Sequence, residues 1–237
     1  MKNKKGTLYL IPVPLGAEGY AALSQQILDV LPRLKHFIVE RERTARRFVK
    51  QVLPDADIGA LTFFELDKHH PEILPDSFVR PLLEGCDMGL LSEAGCPGIA
   101  DPGAVVVRKV HELGGAVKPL SGPSAIVLAL MASGLNGQQF VFHGYLPVKK
   151  GERIRKLREL ERAISQTGRT QIFIETPYRN AQLFEALLHH LPRDLSLCVA
   201  MDLSLPTEFV ATKKVALWRS HPLAFEDKRP AVFLIGR

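Results

Sequence analysis

The sequence predicts an α/β protein of two α/β domains, the N-terminal one with a mostly parallel sheet and the C-terminal one with a mixed sheet. In the first half, short apolar runs alternate with helical patterns, which is typical of repeated βα units. The run Ser-Gly-Pro-Ser at 121–124 then punctuates the chain, and the last part holds closely spaced strand-like runs. We therefore expect one domain at 1–120 and a second at 121–237.

The first half contains five predicted strands, each followed by a helix or a turn. The strands are expected at 7–13, 37–40, 59–66, 88–91 and 116–119. Helices are expected at 21–31, from 44 onward, at 72–84 and at 104–113. Because a helix connects successive strands, the sheet is expected to be mostly parallel.

The second half continues with a helix of small residues and then a less regular pattern. Helices are expected at 125–133, at 151–165 and through 188, and strands at 140–145, 170–175, 195–201, 208–211, 215–218 and 231–235. In the basic helix at 151–165, Ile154, Leu157, Leu160 and Ile164 form a stripe that should be buried, which leaves its Arg and Lys side chains outward. The last strands are separated only by turns, so this sheet is expected to be mixed.

Composition excludes several classes of protein. No apolar run approaches the roughly 20 residues of a membrane span, and the N-terminus lacks a signal-peptide pattern. Three cysteines are too few for a disulfide framework, and the pairs at 69–70 and 189–190 are histidines without a third ligand at metal spacing. We expect a soluble cytoplasmic protein without a metal or a membrane partner.

The formal net charge of +6 favours anionic partners. Two helices concentrate the basic residues, one at 41–50 and one at 149–158. Since Glu residues are interleaved with them, each helix could present only a solvated face. The alternative is that these helices bind phosphate or carboxylate groups.

The segment 92–103, Ser-Glu-Ala-Gly-Cys-Pro-Gly-Ile-Ala-Asp-Pro-Gly, follows the apolar run 88–91 and precedes a helical pattern. Glycines allow close approach of a ligand, prolines fix the path, and open α/β sheets bind small molecules at the carboxyl ends of strands. A crossover turn that needs Gly and Pro for geometry alone is the alternative. Gly-x-Gly-x-x-Gly after the first strand and the P-loop pattern are absent, which argues against a dinucleotide-binding dehydrogenase and a P-loop NTPase.

Five ordered motifs span nearly the whole chain. They are Gly6-Thr7-Leu8-Tyr9 with Pro14-Leu15-Gly16, the segment 92–103, Gly122-Pro123-Ser124-Ala125, Gly144-Tyr145-Leu146-Pro147 followed by Lys149-Lys150-Gly151-Glu152-Arg153, and Glu175-Thr176-Pro177-Tyr178-Arg179. Together they resemble the tetrapyrrole (corrin/porphyrin) methylase superfamily. Within it, they are most similar to the branch that methylates the 2′ oxygen of a cytidine in small-subunit ribosomal RNA.

The resemblance implies that S-adenosylmethionine is held in a cleft between two α/β domains, usually in a homodimer, and that ribosomal RNA is the partner. By the same resemblance, the donor-binding positions fall on loops of both domains. They are Pro14, Gly16, Ser92, Glu93, Ala94, Gly95, Ile99, Ala100, Ser124, Ala125, Tyr145, Leu146, Met201, Asp202, Leu203, Pro230 and Ala231.

Transfer to a ribose hydroxyl is an in-line displacement that also needs a group to accept the hydroxyl proton. Carboxylates are the candidates, with Glu175 first because it ends a strand, then Asp101, Glu93 and Glu42. Arg43 and Arg179 are candidates for holding phosphate or stabilising charge. The alternatives are that Glu175 caps the next helix and that both arginines form surface ion pairs.

The chain departs from the branch at several positions. Glu40-Arg41-Glu42-Arg43 replaces Glu-Asp-Thr-Arg, Glu93 and Cys96 replace Asp and Thr, Ala100 replaces Ser, and 202–208 lacks two cations of a late segment. Many RNA-modifying members also continue into a further helical segment, whereas this sequence ends at Arg237. Two other hypotheses therefore stay open: C-methylation of a tetrapyrrole, and a paralogue that binds the donor without catalysis.

Overall fold

A computed structural model of the chain describes residues 5–67, 73–225 and 229–237. The chain divides into two compact units, Met1–Ser124 and Ala125–Arg237. Each unit is an α/β structure built around its own sheet, which confirms the predicted fold class. The expected cofactor cleft between two domains, and the domain bounds at 1–120 and 121–237, stay predictions.

The N-terminal unit contains a parallel sheet of five strands among the described residues. The strands are β1 Thr7–Ile11, β2 His36–Val39, β3 Thr62–Glu65, β4 Met88–Leu91 and β5 Ala116–Pro119. The helices are α1 Gln25–Val30, α2 Glu42–Val52, α3 Asp76–Leu83 and α4 Gly103–Glu112. The strand order is β3-β2-β4-β1-β5, and all four pairings are parallel. The loops after the neighbouring strands β1 and β4 therefore leave the same edge of the sheet.

Both faces of the N-terminal sheet are covered, so its central strand β4 is buried throughout. Gly89 in β4 allows close packing: a Cβ there would lie 2.8 Å from Phe37 Cδ1 and 2.9 Å from Ile11 Cδ1. Any larger residue would therefore displace core side chains. The packing fixes the position at which β4 ends and its long loop begins.

The C-terminal unit contains a mixed sheet of five strands among the described residues. The strands are β6 Phe140–Tyr145, β7 Thr170–Glu175, β8 Ser196–Met201, β9 Phe209–Lys214 and β10 Ala231–Gly236. The helices are α5 Ala125–Ser133, α6 Lys150–Thr167, α7 Asn180–His190 and α8 Val215–Ser220. The order is β6-β7-β10-β8-β9, with β6 and β7 parallel and the other pairs antiparallel. The prediction of a mixed sheet is confirmed.

The core of the C-terminal unit is rich in aromatic residues. Phe173 and Phe233 stack across β7 and β10 with ring centroids 6.0 Å apart. Trp218 packs edge-on against Phe184 at 5.4 Å, and its Nε1 donates a hydrogen bond of 2.8 Å to the Leu197 carbonyl. The indole is therefore buried with its polar group satisfied.

Two secondary-structure predictions are wrong. The stretch 215–218 forms the start of helix α8 rather than a strand, because Val215 and Trp218 are three residues apart and both are buried against the core. The stretch 21–31 is not one helix, because Leu23 and Ser24 are extended. Ser24 Oγ donates a hydrogen bond of 2.6 Å to the Ser121 carbonyl.

The basic helix α6 differs from prediction at one cation. Leu157, Leu160 and Ile164 are buried as expected, whereas Ile154 is only half-buried. Arg153 is buried as well, with 5% of its surface exposed. The predicted helix at 72–84 is observed from Asp76, and residue 72 lies outside the described residues. The histidine pair at 69–70 also lies outside them.

Candidate functional site

Three loops of the N-terminal unit converge at the carboxyl ends of β1, β4 and β5. Val13 and Gly95 exchange backbone hydrogen bonds of 2.9 and 3.1 Å, which joins the loops after β1 and β4. Cys96 Sγ contacts the Pro123 carbonyl oxygen at 3.3 Å, which joins the loops after β4 and β5. The three predicted donor loops of this unit therefore form one assembly.

Gly95 is required by the geometry of this junction. Its φ of +73° lies in the left-handed region, and a Cβ would meet Leu15 Cδ2 at 3.2 Å and the Pro123 carbonyl oxygen at 3.4 Å. Ser92 braces the same turn, since its hydroxyl lies 3.3 Å from the Ala94 carbonyl oxygen and 3.2 Å from that of Gly95. The predicted donor residues Ser92, Ala94 and Gly95 thus share one turn.

Asp101 lies at the other end of the same loop. Its carboxylate accepts hydrogen bonds from the Gly98 N–H at 2.8 and 3.0 Å and from the Gly103 N–H at 2.7 Å. Burial raises the pKa of Asp101 above its ordinary value, while the Gly103 and Gly98 hydrogen bonds act in the opposite direction. A carboxyl with a raised pKa is a better proton acceptor, but this one also holds its own loop together.

Glu93 lies beside Arg41, one of the positions at which the chain departs from the pattern of the RNA-modifying branch. Its carboxylate forms an ion pair of 3.7 Å with Arg41 Nε and accepts a hydrogen bond of 3.3 Å from Thr44 Oγ1. Its backbone N–H donates to Glu40 Oε1 at 2.9 Å. The first turn of α2 is therefore joined to the loop after β4 through Glu93. Arg43 is exposed on the same helix.

A cavity of ≈ 240 Å³ opens beside this junction within the N-terminal unit. The loop after β1, the helix α2 and the end of β4 line it, through residues that include Pro14, Gly16, Thr44, Arg47, Ser92 and Glu93. Four predicted donor positions therefore border one concave surface. Tyr20 also lines the cavity, and partial burial raises the pKa of its phenol, with Arg47 opposing the shift.

In the C-terminal unit, three predicted site residues align across neighbouring strands. Ala231 of β10 pairs with Glu175 of β7 on one side and with Met201 of β8 on the other. Tyr145 of β6 pairs with Ile174, next to Glu175. The residues are thus brought together at one edge of this sheet, as a site at strand ends requires.

Glu175 is a buried carboxylate with a partner. Its side chain is 1% exposed, and Oε1 accepts hydrogen bonds of 2.6 Å from the Thr176 N–H and from Arg179 Nη2. The alternative prediction is that Glu175 caps the next helix. The hydrogen bond from the Thr176 N–H agrees with it in part, because that bond holds the turn that leads to α7. The ion pair keeps a charged carboxylate inside the fold.

The segment after β8 is held in an unusual backbone conformation. Asp202 has a φ of +49° and Ser204 of +65°, both in the left-handed region. Asp202 Oδ2 forms an ion pair of 2.6 Å with Arg229 Nε, and the Asp202 N–H donates to the Pro230 carbonyl at 3.3 Å. The predicted donor residues Met201, Asp202 and Pro230 are therefore physically connected.

Within the described part of the chain, buried polar atoms without hydrogen-bond partners accompany these residues. They include Arg179 Nε, Asn180 Oδ1 and Ser204 Oγ. Asn180 Nδ2 donates to the Arg229 carbonyl at 2.7 Å, so its free oxygen lies near the predicted donor segment at 229–231. Unsatisfied buried polar atoms are rare in folded proteins, so this edge fits a polar ligand. The sequence prediction missed Asn180, which directly follows the Glu175–Arg179 motif.

The remaining predicted donor residues differ in exposure. Ile99 and Tyr145 are exposed apolar side chains, at 49% and 59%, whereas Leu146 is buried. Ala100 has a φ of +63°, and Leu203 is buried in the turn after β8. Ser124 and Ala125 are half-buried at the start of α5. The predicted donor positions thus include both exposed and buried side chains in each unit.

The described ranges contain neither a cluster of metal ligands nor a membrane-spanning helix. At residues 5–67, 73–225 and 229–237, no three His, Cys, Asp or Glu side chains are grouped as metal ligands. No helix in that part of the chain has both the length and the apolar character to span a membrane.

Comparison with known proteins places this geometry in a family. The family model of tetrapyrrole (corrin/porphyrin) methylases matches residues 7–217. "Ribosomal RNA small subunit methyltransferase I" of Vibrio cholerae is 34% identical over 88% of this chain and 68% of its own length. The protein of that name from Escherichia coli O157:H7 is 33% identical over 88% and 69%, and that from Bacillus subtilis 31% over 86% and 65%. The chain thus spans about two thirds of these relatives.

Solved structures show the same fold at low sequence identity. The methyltransferase CobJ superposes with a TM-score of 0.63 and 16% identity, over 99% of this chain and 94% of that one. A uroporphyrin-III-C-methyltransferase from Thermus thermophilus gives 0.56 and 18%, over 98% and 94%.

The family-model match and the curated relatives define an enzyme class, that of methyltransferases using S-adenosylmethionine. Within that class, the chain belongs to the tetrapyrrole (corrin/porphyrin) methylase family.

Proposed function

We propose that the chain methylates the 2′ oxygen of a cytidine in small-subunit ribosomal RNA. The observation that carries the proposal is similarity along 88% of the chain to relatives called ribosomal RNA small subunit methyltransferases. The cytidine and the 2′ position come from the likeness of the five motifs to that branch. A homodimer in the cytoplasm is the expected form.

S-Adenosylmethionine, when bound, supplies a methyl group made electrophilic by the sulfonium sulfur. On this proposal, the donor is held by the backbone of the braced turn at 92–95 in the N-terminal unit. By the same resemblance, the donor positions of the C-terminal unit are the paired strand ends at Met201 and Ala231. The left-handed turn at Asp202 and the free oxygen of Asn180 provide polar contacts there. Rigid loops suit an in-line displacement, since positioning supplies much of the rate.

Glu175 is the residue to which we assign proton removal from the ribose hydroxyl. Both of its hydrogen bonds go to Oε1, so Oε2 is the oxygen available to the acceptor. Arg179 stays paired to the carboxylate and keeps it in place. Asp101 is the second candidate, through its raised pKa, and Arg43 is the candidate for holding an RNA phosphate from the exposed face of α2.

The test uses radiolabelled S-adenosylmethionine with two acceptors, small-subunit ribosomal RNA from cells that lack the gene and a porphyrinogen extract. We expect label in the RNA, and mass spectrometry of its nucleosides should give 2′-O-methylcytidine. Ribosomal RNA from the deletion strain should lack that nucleoside. Label confined to the tetrapyrrole would replace the RNA proposal with C-methylation. Donor binding without transfer to either acceptor would favour the non-catalytic alternative.

A further inference from the structure

Arg153 is a buried cation that forms no ion pair with any residue that the structure describes. It lies in the first turn of α6 with 5% of its surface exposed. Its Nε and Nη1 atoms have no hydrogen-bond partner among the described residues. Burying a guanidinium costs free energy unless its donors are satisfied. An apolar side chain at this position, such as the leucine found at Leu157, would fill the same space at a lower cost in free energy. The position of Arg153 therefore indicates a ligand that pairs with it.

The side chain lines a cavity of ≈ 420 Å³ between α6 and α7, wholly within the C-terminal unit. Lys150, His189 and His190 also line it, together with Gln182. Glu185 is the acidic residue of this lining and is exposed to solvent, where water screens its charge.

The backbone favours an anion at the same place. Helix α6 begins at Lys150, and its N-cap residue, Lys149, makes no side-chain capping hydrogen bond. The N-cap side chain therefore accepts no hydrogen bond from the first-turn N–H groups, and the acidic residue of this turn, Glu152, is paired with Lys149 at 3.7 Å. Arg153 is a cation at this positive end, so the dipole opposes it. An anion in the cavity would interact favourably with both the helix N-terminus and the Arg153 guanidinium.

We propose that this cavity, called here the Arg153 pocket and formed by Lys150, Arg153, His189 and His190, binds a phosphate group of the RNA acceptor. Phosphate oxyanions match a guanidinium with free donors, a lysine and a helix N-terminus. The RNA source of the phosphate rests on the proposed function. The pocket chemistry alone requires only a phosphate.

His190 gives a signal that reports on the pocket. Partial burial lowers its pKa, and His189, Lys150, Arg158 and Arg153 lower it further. The exposed carboxylate of Glu185, on the same helix, faces the cavity as well. Because a bound phosphate offsets the surrounding positive charge, phosphate should raise the pKa of His190.

The first experiment compares Arg153→Gln with Arg155→Gln, an exposed arginine on the same helix that carries the same charge. Binding of small-subunit ribosomal RNA is measured at fixed salt. We expect Arg153→Gln to weaken it by about tenfold or more, as for loss of a charged hydrogen bond. Arg155→Gln should weaken it by no more than about threefold, as for an exposed charge. Equal losses in the two variants would overturn the proposal.

The second experiment separates the pocket from the RNA. Inorganic phosphate is added to the wild-type protein against chloride of equal ionic strength, and NMR follows the His190 ring while thermal unfolding gives Tm. Phosphate should raise both the pKa of His190 and Tm in the wild type but neither in Arg153→Met. If phosphate changes neither the pKa of His190 nor Tm in the wild type, the proposal that this pocket binds phosphate is overturned.

A phosphate response combined with unchanged RNA affinity in Arg153→Gln would overturn the RNA source and indicate a small phosphorylated ligand. Calorimetry of S-adenosylmethionine binding shows whether the variants remain folded and competent. The nucleoside analysis of ribosomal RNA tests the proposed function separately, because it does not depend on the pocket.

Discussion

At the scale of single residues, two departures from the family pattern lie next to each other. Arg41 stands where the RNA-modifying branch has an acidic residue, and Glu93 stands where it has Asp. The structure pairs Arg41 Nε with Glu93 Oε2 at 3.7 Å. Both side chains are more than a third exposed, so the pair adds little stability. Its effect is local: it neutralises a carboxylate that borders the cavity of the N-terminal unit.

Glu175→Gln tests the assignment of proton removal. We expect turnover to fall by about 10²- to 10⁴-fold, the usual contribution of a general base. S-adenosylmethionine affinity should change little, because the glutamine oxygen can still accept from Thr176 and Arg179. The measurement is kcat at saturating donor, with calorimetry of S-adenosylmethionine binding beside it.

Glu112→Gln is the matched control, since Glu112 is exposed at the end of α4, far in sequence from the motif. It should keep wild-type turnover. Loss of donor binding in Glu175→Gln, with kcat at saturating donor unchanged, would assign Glu175 a positioning role instead.

Asp101→Asn tests the cause of the raised pKa. The folded pKa lies above the unfolded value near 3.9, so the wild-type fold is favoured below the unfolded pKa and loses that advantage as pH rises through the folded pKa. Asparagine keeps an oxygen for the Gly98 and Gly103 N–H groups and cannot ionise. The stability of the variant relative to wild type should therefore improve as pH rises from about 4 to 7.

Urea unfolding at several pH values measures this difference. A relative stability that stays constant with pH would show that burial does not control the Asp101 carboxyl. A variant that loses stability relative to wild type as pH rises would show that the N–H bonds outweigh burial.

At the scale of elements, the sequence correctly predicted the helices and strands that are marked by a local pattern of residues. The bounds of β4, β5, β6 and β7 and of helix α5 agree with the prediction, since turn residues delimit them on both sides. The errors arise from tertiary contacts. Val215 and Trp218 favour a strand by composition, but in helix α8 both side chains are buried in the core and Trp218 packs against Phe184.

The candidate site shows the same division. The loops were predictable because Gly, Pro and Ser at strand ends mark them, and the resemblance named their residues. The burial of Arg153 was not predictable, since a basic residue in a basic helix is normally solvated. The free oxygen of Asn180 could not be predicted either, because it depends on the contact of its amide nitrogen with the Arg229 carbonyl across 49 positions of sequence.

Gly95→Ala tests the junction of the three N-terminal loops. A Cβ at φ +73° costs about 1 kcal/mol of strain, and it would press on Leu15 and the Pro123 carbonyl. We expect S-adenosylmethionine binding to weaken by about tenfold, as for a displacement in a preorganised site. Calorimetry gives the affinity and thermal unfolding the stability.

Gly168→Ala is the control, because Gly168 has a φ of +67° at the end of α6 and a Cβ there meets nothing within 4 Å. It should lose similar stability and keep donor affinity. Equal donor affinity in the two variants would show that the loop junction does not shape the donor site.

At the scale of the whole molecule, charge and topology serve different steps. The parallel order β3-β2-β4-β1-β5 and the mixed order β6-β7-β10-β8-β9 place the site residues at strand ends within each unit. The formal charge of +6 contributes nothing to that placement. On the proposed function, it attracts the RNA acceptor from a distance, through the basic helices α2 and α6. Donor binding and acceptor binding should therefore respond differently to salt.

The salt dependence of binding tests this separation. RNA binding by lysine and arginine releases condensed cations, so the logarithm of affinity should fall linearly with the logarithm of salt concentration. With several phosphates contacted, affinity should drop by at least about tenfold between about 50 and 200 mM salt. S-adenosylmethionine carries little net charge, so its affinity should stay within about twofold. Fluorescence anisotropy of labelled ribosomal RNA and calorimetry of the donor measure the two slopes. An RNA affinity independent of salt would exclude phosphate contacts as the main source of binding and remove the role assigned to both basic helices.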